Sequence, residues 1–282
     1  MRKIGFAAAA AAAWIVGSAA AVPQKTDPEV ILKEKKIIDA SPSGMTLVFH
    51  LILKNAASTP VNLARYDYKV VIDEAEYLNL QVGLDEPLEV GPKGEIVIVL
   101  PVKLNYENLF PAVPGLKDKD LAFCYVAGGM TFRDERRREK RVLMAFSSDF
   151  PVYRGLDIGP APVETASLTI GGAEITGGIV LRNPNGFSFT LNRLTYVLEL
   201  VGRPVARGVS AEDLQVAAKG EASIPIPVTL DFFEVGRPVH DGLVQPPVSA
   251  RVSGEAEIMT PWGPWRVAFD RSDKVAVRKR LS

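Results

Sequence analysis

Through most of the chain apolar and polar residues alternate with a period of two, the spacing of side chains on a half-buried strand rather than on a helix. Leu47, Phe49, Leu51 and Leu53 share one face, and Tyr66, Tyr68, Val70 and Ile72 share one face of the next run. Ile96, Ile98, Leu100, Val102 and Leu104 alternate in the same way. A second set follows, with Leu194, Tyr196, Leu198 and Leu200, then Ile224, Ile226, Val228 and Leu230. Turn-forming residues separate the runs at 55–60, 91–94 and 183–186. Short strands punctuated in this way predict an all-β chain of antiparallel β-sandwiches, with one core for each set. Helix is expected only as a short turn over 105–110 and another near 232–235. Pro225 and Pro227 sit two apart, so both missing N–H groups face one side, which puts their strand at a sheet edge or a bend.

The two sets are related in sequence. Leu53-Lys54-Asn55 recurs as Leu181-Arg182-Asn183, and at the same offset Leu63, Arg65 and Tyr68 recur as Leu191, Arg193 and Tyr196. Lys93-Gly94-Glu95 and Pro101-Val102-x-Leu104 recur as Lys219-Gly220-Glu221 and Pro227-Val228-x-Leu230, at an offset shortened as by a trimmed loop. Gly128 matches Gly254 at that shortened offset. A period this long suits two whole domains in series rather than a solenoid. The expectation is two tandem sandwiches, over 26–155 and 156–278, with the crossing near Pro160 and Pro162.

Ahead of them, 1–21 has the pattern of a signal peptide. Arg2 and Lys3 precede an Ala-rich apolar run containing Trp14, and Ala19 and Ala21 fit a small-x-small cleavage rule, so the mature chain would start near Val22. The alternative is an uncleaved segment that anchors the protein in a membrane, because residues 4–22 approach the length of a bilayer span. No later stretch is long and apolar enough for a transmembrane span, so the expectation is an exported body, periplasmic or secreted.

Composition narrows the function. Hydrophobic residues at 47% and charged residues at 23% belong to a chain that folds around a core. Basic and acidic residues both number 33, which leaves no global field to recruit nucleic acid. Cys124 is the single cysteine, and with only His50 and His240 beside it in the inventory neither an internal disulfide nor a metal cage can be assembled. Its setting in the alternating run 121–125 is that of a small buried apolar residue. The chain has no nucleophile elbow, phosphate loop or dinucleotide fingerprint. No catalytic residue, cofactor or metal is assigned, and an unrecognised hydrolase is the remote alternative.

Two local features stand out as surface candidates. Residues 133–141 hold Arg133, Arg136, Arg137, Arg138, Lys140 and Arg141 against Asp134, Glu135 and Glu139. They form either a solvated loop with internal ion pairs or a docking site for an anionic surface. The corresponding place in the second set holds Trp262 and Trp265 in a Pro-Trp-Gly-Pro-Trp run. These are either an exposed contact surface or a turn packed on the sandwich end.

The block 181–230 carries Asn183-Pro184-Asn185-Gly186 ahead of Leu191, Tyr196, Gly220 and the closing Pro-Val-x-Leu strand. It resembles the late embryogenesis abundant type 2 family, which carries the WHy (water stress and hypersensitive response) domain. The first set keeps Asn55, the aromatic, the glycine and the closing strand, but reads Ala56-Ala57 where Pro-Asn would stand. The resemblance implies a fibronectin-like sandwich and a non-catalytic protective role in desiccation or other stress, through weak contacts with client proteins, anionic lipid or envelope components. A structural or partner-binding part of the cell envelope is the alternative. Asn183, Pro184 and Asn185 read as structural, since short amide side chains bond nearby backbone and permit a tight exit from a strand.

Overall fold

The computed structural model describes residues 27–279, so the expected signal segment 1–21 lies outside the described residues. The first half contains β1 (Glu29–Ser41), β2 (Gly44–Lys54), β3 (Val61–Ile72), β4 (Ala75–Val90), β5 (Glu95–Asn105), α1 (Tyr106–Ala112), β6 (Leu121–Asp134) and β7 (Glu139–Pro151). They form two antiparallel sheets, ordered β1-β2-β5 and β4-β3-β6-β7. The three-plus-four arrangement is that of the fibronectin-like sandwich expected from the sequence. Phe49, Leu51, Leu53, Val70 and Ile72 are fully buried between the sheets, as the alternation requires.

The second half contains β8 (Asp157–Pro160), β9 (Val163–Leu168), β10 (Gly172–Arg182), β11 (Phe189–Leu200), β12 (Arg203–Ser210), β13 (Leu214–Val216) and β14 (Glu221–Asp231). It ends with α2 (Phe232–Val235), α3 (Arg237–Val244), β15 (Val248–Thr260), β16 (Gly263–Val275) and β17 (Val277–Lys279). One sheet runs β14-β10-β9-β17 with β8 also on β10, and the other runs β12-β11-β15-β16 with β13 also on β11. β14 is an edge strand, so Pro225 and Pro227 sit where missing N–H groups are tolerated.

Matched residues do matched jobs in the two halves. Gly128 lies opposite Tyr68 and Gly254 opposite Tyr196. A Cβ would stand 2.0 Å from the Asp67 carbonyl oxygen at the first and 1.9 Å from the Thr195 carbonyl oxygen at the second, so only glycine fits either crossing. Asn105 and Asp231 each end the closing strand and cap the next helix, accepting from the N–H of Glu107 and of Phe233.

Three expectations need correction. His240, outside the two short turns expected to be the only helix, lies in α3. The Gly236-Arg237-Pro238 start looks like a turn in sequence, yet proline is well placed in the first turn of a helix. The chain leaves the first pair of sheets at Pro151 and enters the second at Asp157, so Pro160 already belongs to the second pair rather than to the crossing. The cores are not separate either. Buried side chains run without a break from Phe49 through Phe150, Val152 and Tyr153 to Phe189 and Trp265, and a smaller cluster around Leu200, Val239 and Leu243 stands apart.

Candidate functional site

The Asn-Pro-Asn turn after β10 lies where the two halves meet. Asn183 is buried and its Nδ2 donates to the carbonyls of Phe187 (2.7 Å) and Ala217 (2.9 Å), while its Oδ1 accepts the Asn185 N–H (3.0 Å). Asn55 performs the same task in the first half, donating to the carbonyls of Thr59 (2.8 Å) and Gly91 (3.0 Å) and accepting the Ala57 N–H (2.9 Å). Both asparagines therefore tie a strand exit to the turn before the closing strand. Asn185 has no counterpart, because Ala57 stands in its place. It is wholly buried and hydrogen-bonds the backbone of Arg154 in both directions, at 2.6 Å and 3.0 Å.

Charge and aromatic contacts complete the junction. Asp120, ahead of β6, holds Arg154 from the linker and Lys219 from the turn before β14. The hydrogen bond from Lys219, reinforced by Arg154, keeps the Asp120 carboxyl below its ordinary range. A line of rings crosses the same place: Tyr106 to Tyr153 with centroids 6.5 Å apart, Tyr153 edge-on to Trp265 at 5.2 Å, Trp265 to Phe187 at 6.0 Å, and Phe187 to Trp262 at 4.8 Å. The contact-surface reading of the tryptophans thus fails for Trp265, which is 4% exposed and packed between the halves. Trp262 is half-buried against Phe187.

The basic segment is a β6–β7 hairpin whose cations are mostly engaged. Arg133 (2.8 Å) and Arg65 (2.6 Å) both bond Glu139, Arg138 bonds Asp134 (2.7 Å), Arg141 pairs with Asp67 and Lys140 with Asp27. The Arg133 hydrogen bond lowers the Glu139 carboxyl from its usual range, and the Arg138 backbone N–H does the same for Asp134. Among the described residues Arg136 and Arg137, at the tip, make no ion pair, so of the five arginines in this segment only these two present free charge. A cleft of about 620 Å³ lies beside the hairpin, with Asp27, Phe132, Asp134 and Lys140 on its walls. Its mixed charge favours neither sign of ligand.

The remaining candidate chemistry is dispersed. Cys124 is fully buried, and burial pushes its thiol up to about 12, which keeps it protonated and inert at neutral pH. His50 lies in β2, and His240 in α3 stacks edge-on against Phe232 with centroids 5.0 Å apart. Among the described residues no group of three His, Cys, Asp or Glu side chains is placed to hold a metal ion, and no helix is long and apolar enough to cross a membrane.

Residues 179–273 match the family model described as late embryogenesis abundant protein, of the type 2 class. The second sandwich carries a late embryogenesis abundant type 2 domain. The match takes in Asn183, Asn185, the closing strand β14 and both tryptophans, and the family is generally non-enzymatic. None of the curated proteins matches the chain. Among solved structures, a protein from Archaeoglobus fulgidus is 16% identical with a TM-score of 0.35, over 45% of this chain and 97% of that one. Red sea bream transglutaminase is 13% identical with a TM-score of 0.24, over 88% of this chain and 31% of that one.

Arg154, Asp120 and Lys219 were not singled out in sequence. Lys219 had one signal, its place in the repeated Lys-Gly-Glu, whereas Asp120 and Arg154 had none, because their meeting depends on how the halves abut.

Proposed function

We propose that this chain is an exported, non-catalytic protective protein of the late embryogenesis abundant type 2 kind, acting from a folded surface by weak contact with proteins or membranes under water stress. The observation that carries this reading is the family match over the second sandwich, with its motif asparagines engaged in holding backbone. A motif used in that way leaves ligand contact to the sheet edges and to the hairpin tip at Arg136 and Arg137. Contacts of that sort are broad and weak, so protection acts near equal stoichiometry rather than catalytically. Disordered desiccation proteins work from low hydrophobicity and high charge, and this chain has neither.

The test is aggregation of a labile enzyme during drying or freeze–thaw, with an equal mass of an unrelated β-sandwich as control. The expected result is less aggregation with this protein across a range of ratios. Parity with the control would overturn the protective reading and shift support to a structural part of the envelope.

A further inference from the structure

The two sandwiches finish one equivalent end with different side chains. In the first, that end is made by the β1–β2 turn and the start of α1, and in the second by the β9–β10 turn and the start of α2. The backbone is the same in both: the Tyr106 N–H donates to the Ser43 carbonyl and the Phe232 N–H to the Gly171 carbonyl, each at 3.0 Å. At the offset of the repeated Leu-x-Asn, Pro42 falls on Ile170, and at that of the repeated Lys-Gly-Glu, Glu107 falls on Phe233. Pro42 is half-buried and Glu107 is charged and exposed, so the fold needs no large apolar residue at either place. Yet Ile170 is 92% exposed and Phe233 89%, more than any other large apolar side chain among the described residues.

Both protruding side chains are held on fixed backbone. The Thr169 N–H and hydroxyl donate to the Gly172 carbonyl at 2.9 and 3.0 Å, and the hydroxyl oxygen accepts the Gly172 N–H at 3.1 Å, which closes a tight turn with Ile170 at its tip. Asp231 fixes the start of α2 through the Phe233 N–H at 2.8 Å. The edge of the Phe233 ring lies 3.9 Å from where a Cβ on Gly171 would stand, so the two apolar groups are neighbours. Charge surrounds this tip in both signs. β17 runs parallel to β9 toward the same end, and Lys279 pairs with Thr165, three residues or roughly 10 Å short of Leu168. Among the described residues Arg278 and Lys279 are exposed and make no ion pair, and the same holds for Glu164, Glu174 and Glu234, whereas Asp241 is taken by Arg237 and His240.

We propose that the Ile170–Phe233 tip inserts into the interfacial layer of a zwitterionic phospholipid bilayer, with Arg278 and Lys279 level with the head groups. Two side chains of this size offer at most about 400 Å², half of what each side of a standard protein interface buries, and they stand on a convex end rather than around a pocket. Interfacial insertion asks only for apolar groups reaching about 5–10 Å below the head groups, and Arg278 and Lys279 lie about that far behind the tip. A rim of both signs matches a head group that carries both. Because the backbone is already fixed, little is lost in ordering the tip on contact. The tip stands apart from the protective reading, since a chain that inserts without protecting a labile enzyme would still use it.

A polarity-sensitive dye placed at single sites of the full chain tests it, because the readout is local and does not depend on what the N-terminal segment does. Ile170→Cys and Phe233→Cys carry the dye in turn, with Pro42→Cys and Glu107→Cys as the matched positions of the first sandwich. Cys124 does not compete, being buried and protonated. On phosphatidylcholine vesicles the dye at 170 and at 233 is expected to shift to the blue and to be quenched by spin labels on the lipid chains, while at 42 and 107 it stays unchanged. The response should persist in high salt, since apolar contact carries it. Adding Ile170→Ser to the chain labelled at 233 should raise the lipid concentration at half response by roughly tenfold or more, with the melting temperature unchanged. No blue shift on these vesicles overturns the proposal, as does an equal shift at all four sites or indifference to Ile170→Ser. A shift that needs phosphatidylglycerol and vanishes in salt overturns it in favour of charge docking. A shift that appears without lipid, on concentrating the chain or on adding envelope protein, overturns it in favour of a protein contact.

Discussion

Asn185 Oδ1 accepts the N–H of Arg154 at 2.6 Å, and Asn185 Nδ2 donates back to the Arg154 carbonyl at 3.0 Å, so one side chain reproduces the paired bonds of an antiparallel bridge. Its other contact is with Asn183 Oδ1, which links the linker to the strand exit behind it. Asn185→Ala leaves both Arg154 backbone groups without their partner in a part-buried place, which costs about 1–3 kcal/mol. Asn183→Ala and Asn55→Ala should each cost a similar amount, because each strands two or more carbonyls and one N–H in its own half. Urea unfolding at a constant m-value is the measurement. A loss at Asn183 and Asn55 but none at Asn185 would mean that the linker bonds exchange freely with water.

The continuous core governs how the halves behave when separated. Each half has a full set of strands and so is expected to fold alone, yet Tyr153 and Trp265 fill space that only the other half encloses. Exposing a buried aromatic costs about 1.5–3 kcal/mol by area, so residues 26–155 and 156–278, produced separately, should give cooperative β-rich melts below that of the parent. Equal melting temperatures for a half and the parent would mean that the junction contributes nothing. Absence of a cooperative transition in both halves would mean that the chain is a single folding unit.

Much of the fold was legible because period-two alternation fixes which side chains face inward, and Phe49, Leu51 and Leu198 are buried as that pattern demands. Asn183 was legible as structural for a similarly local reason, since its partners belong to neighbouring turns. Contacts made by strand register were not legible. For Arg133 the sequence left open internal ion pairing or a docking face, and it could not show that register brings Arg65 of β3 beside it onto the same Glu139 carboxylate. Trp265 looked like a loop tip, but it sits where the second sandwich meets Tyr153.

Acid should act on the junction through Asp120. Its carboxyl is held below the ordinary range by the hydrogen bond from Lys219 and then by Arg154. A carboxyl depressed in the folded state contributes stability that is complete above its unfolded value, about 4, and is lost as pH falls through the folded value. The junction should therefore be indifferent between about pH 5 and 8 and loosen below about pH 4. Asp67, Asp134, Glu139 and Asp270 are lowered by their own cationic or backbone partners and lose stability in the same range, so total stability alone cannot isolate Asp120. Tryptophan emission can, because of three tryptophans two, Trp262 and Trp265, stand at the junction. In the parent their emission should shift to the red on acidification before the far-ultraviolet signal changes. In Asp120→Asn, which keeps the size and removes the charge, the shift should already be present in part at neutral pH and the acid step should shrink. Superimposable emission profiles for parent and variant would show that Lys219 and Arg154 hold the junction without Asp120.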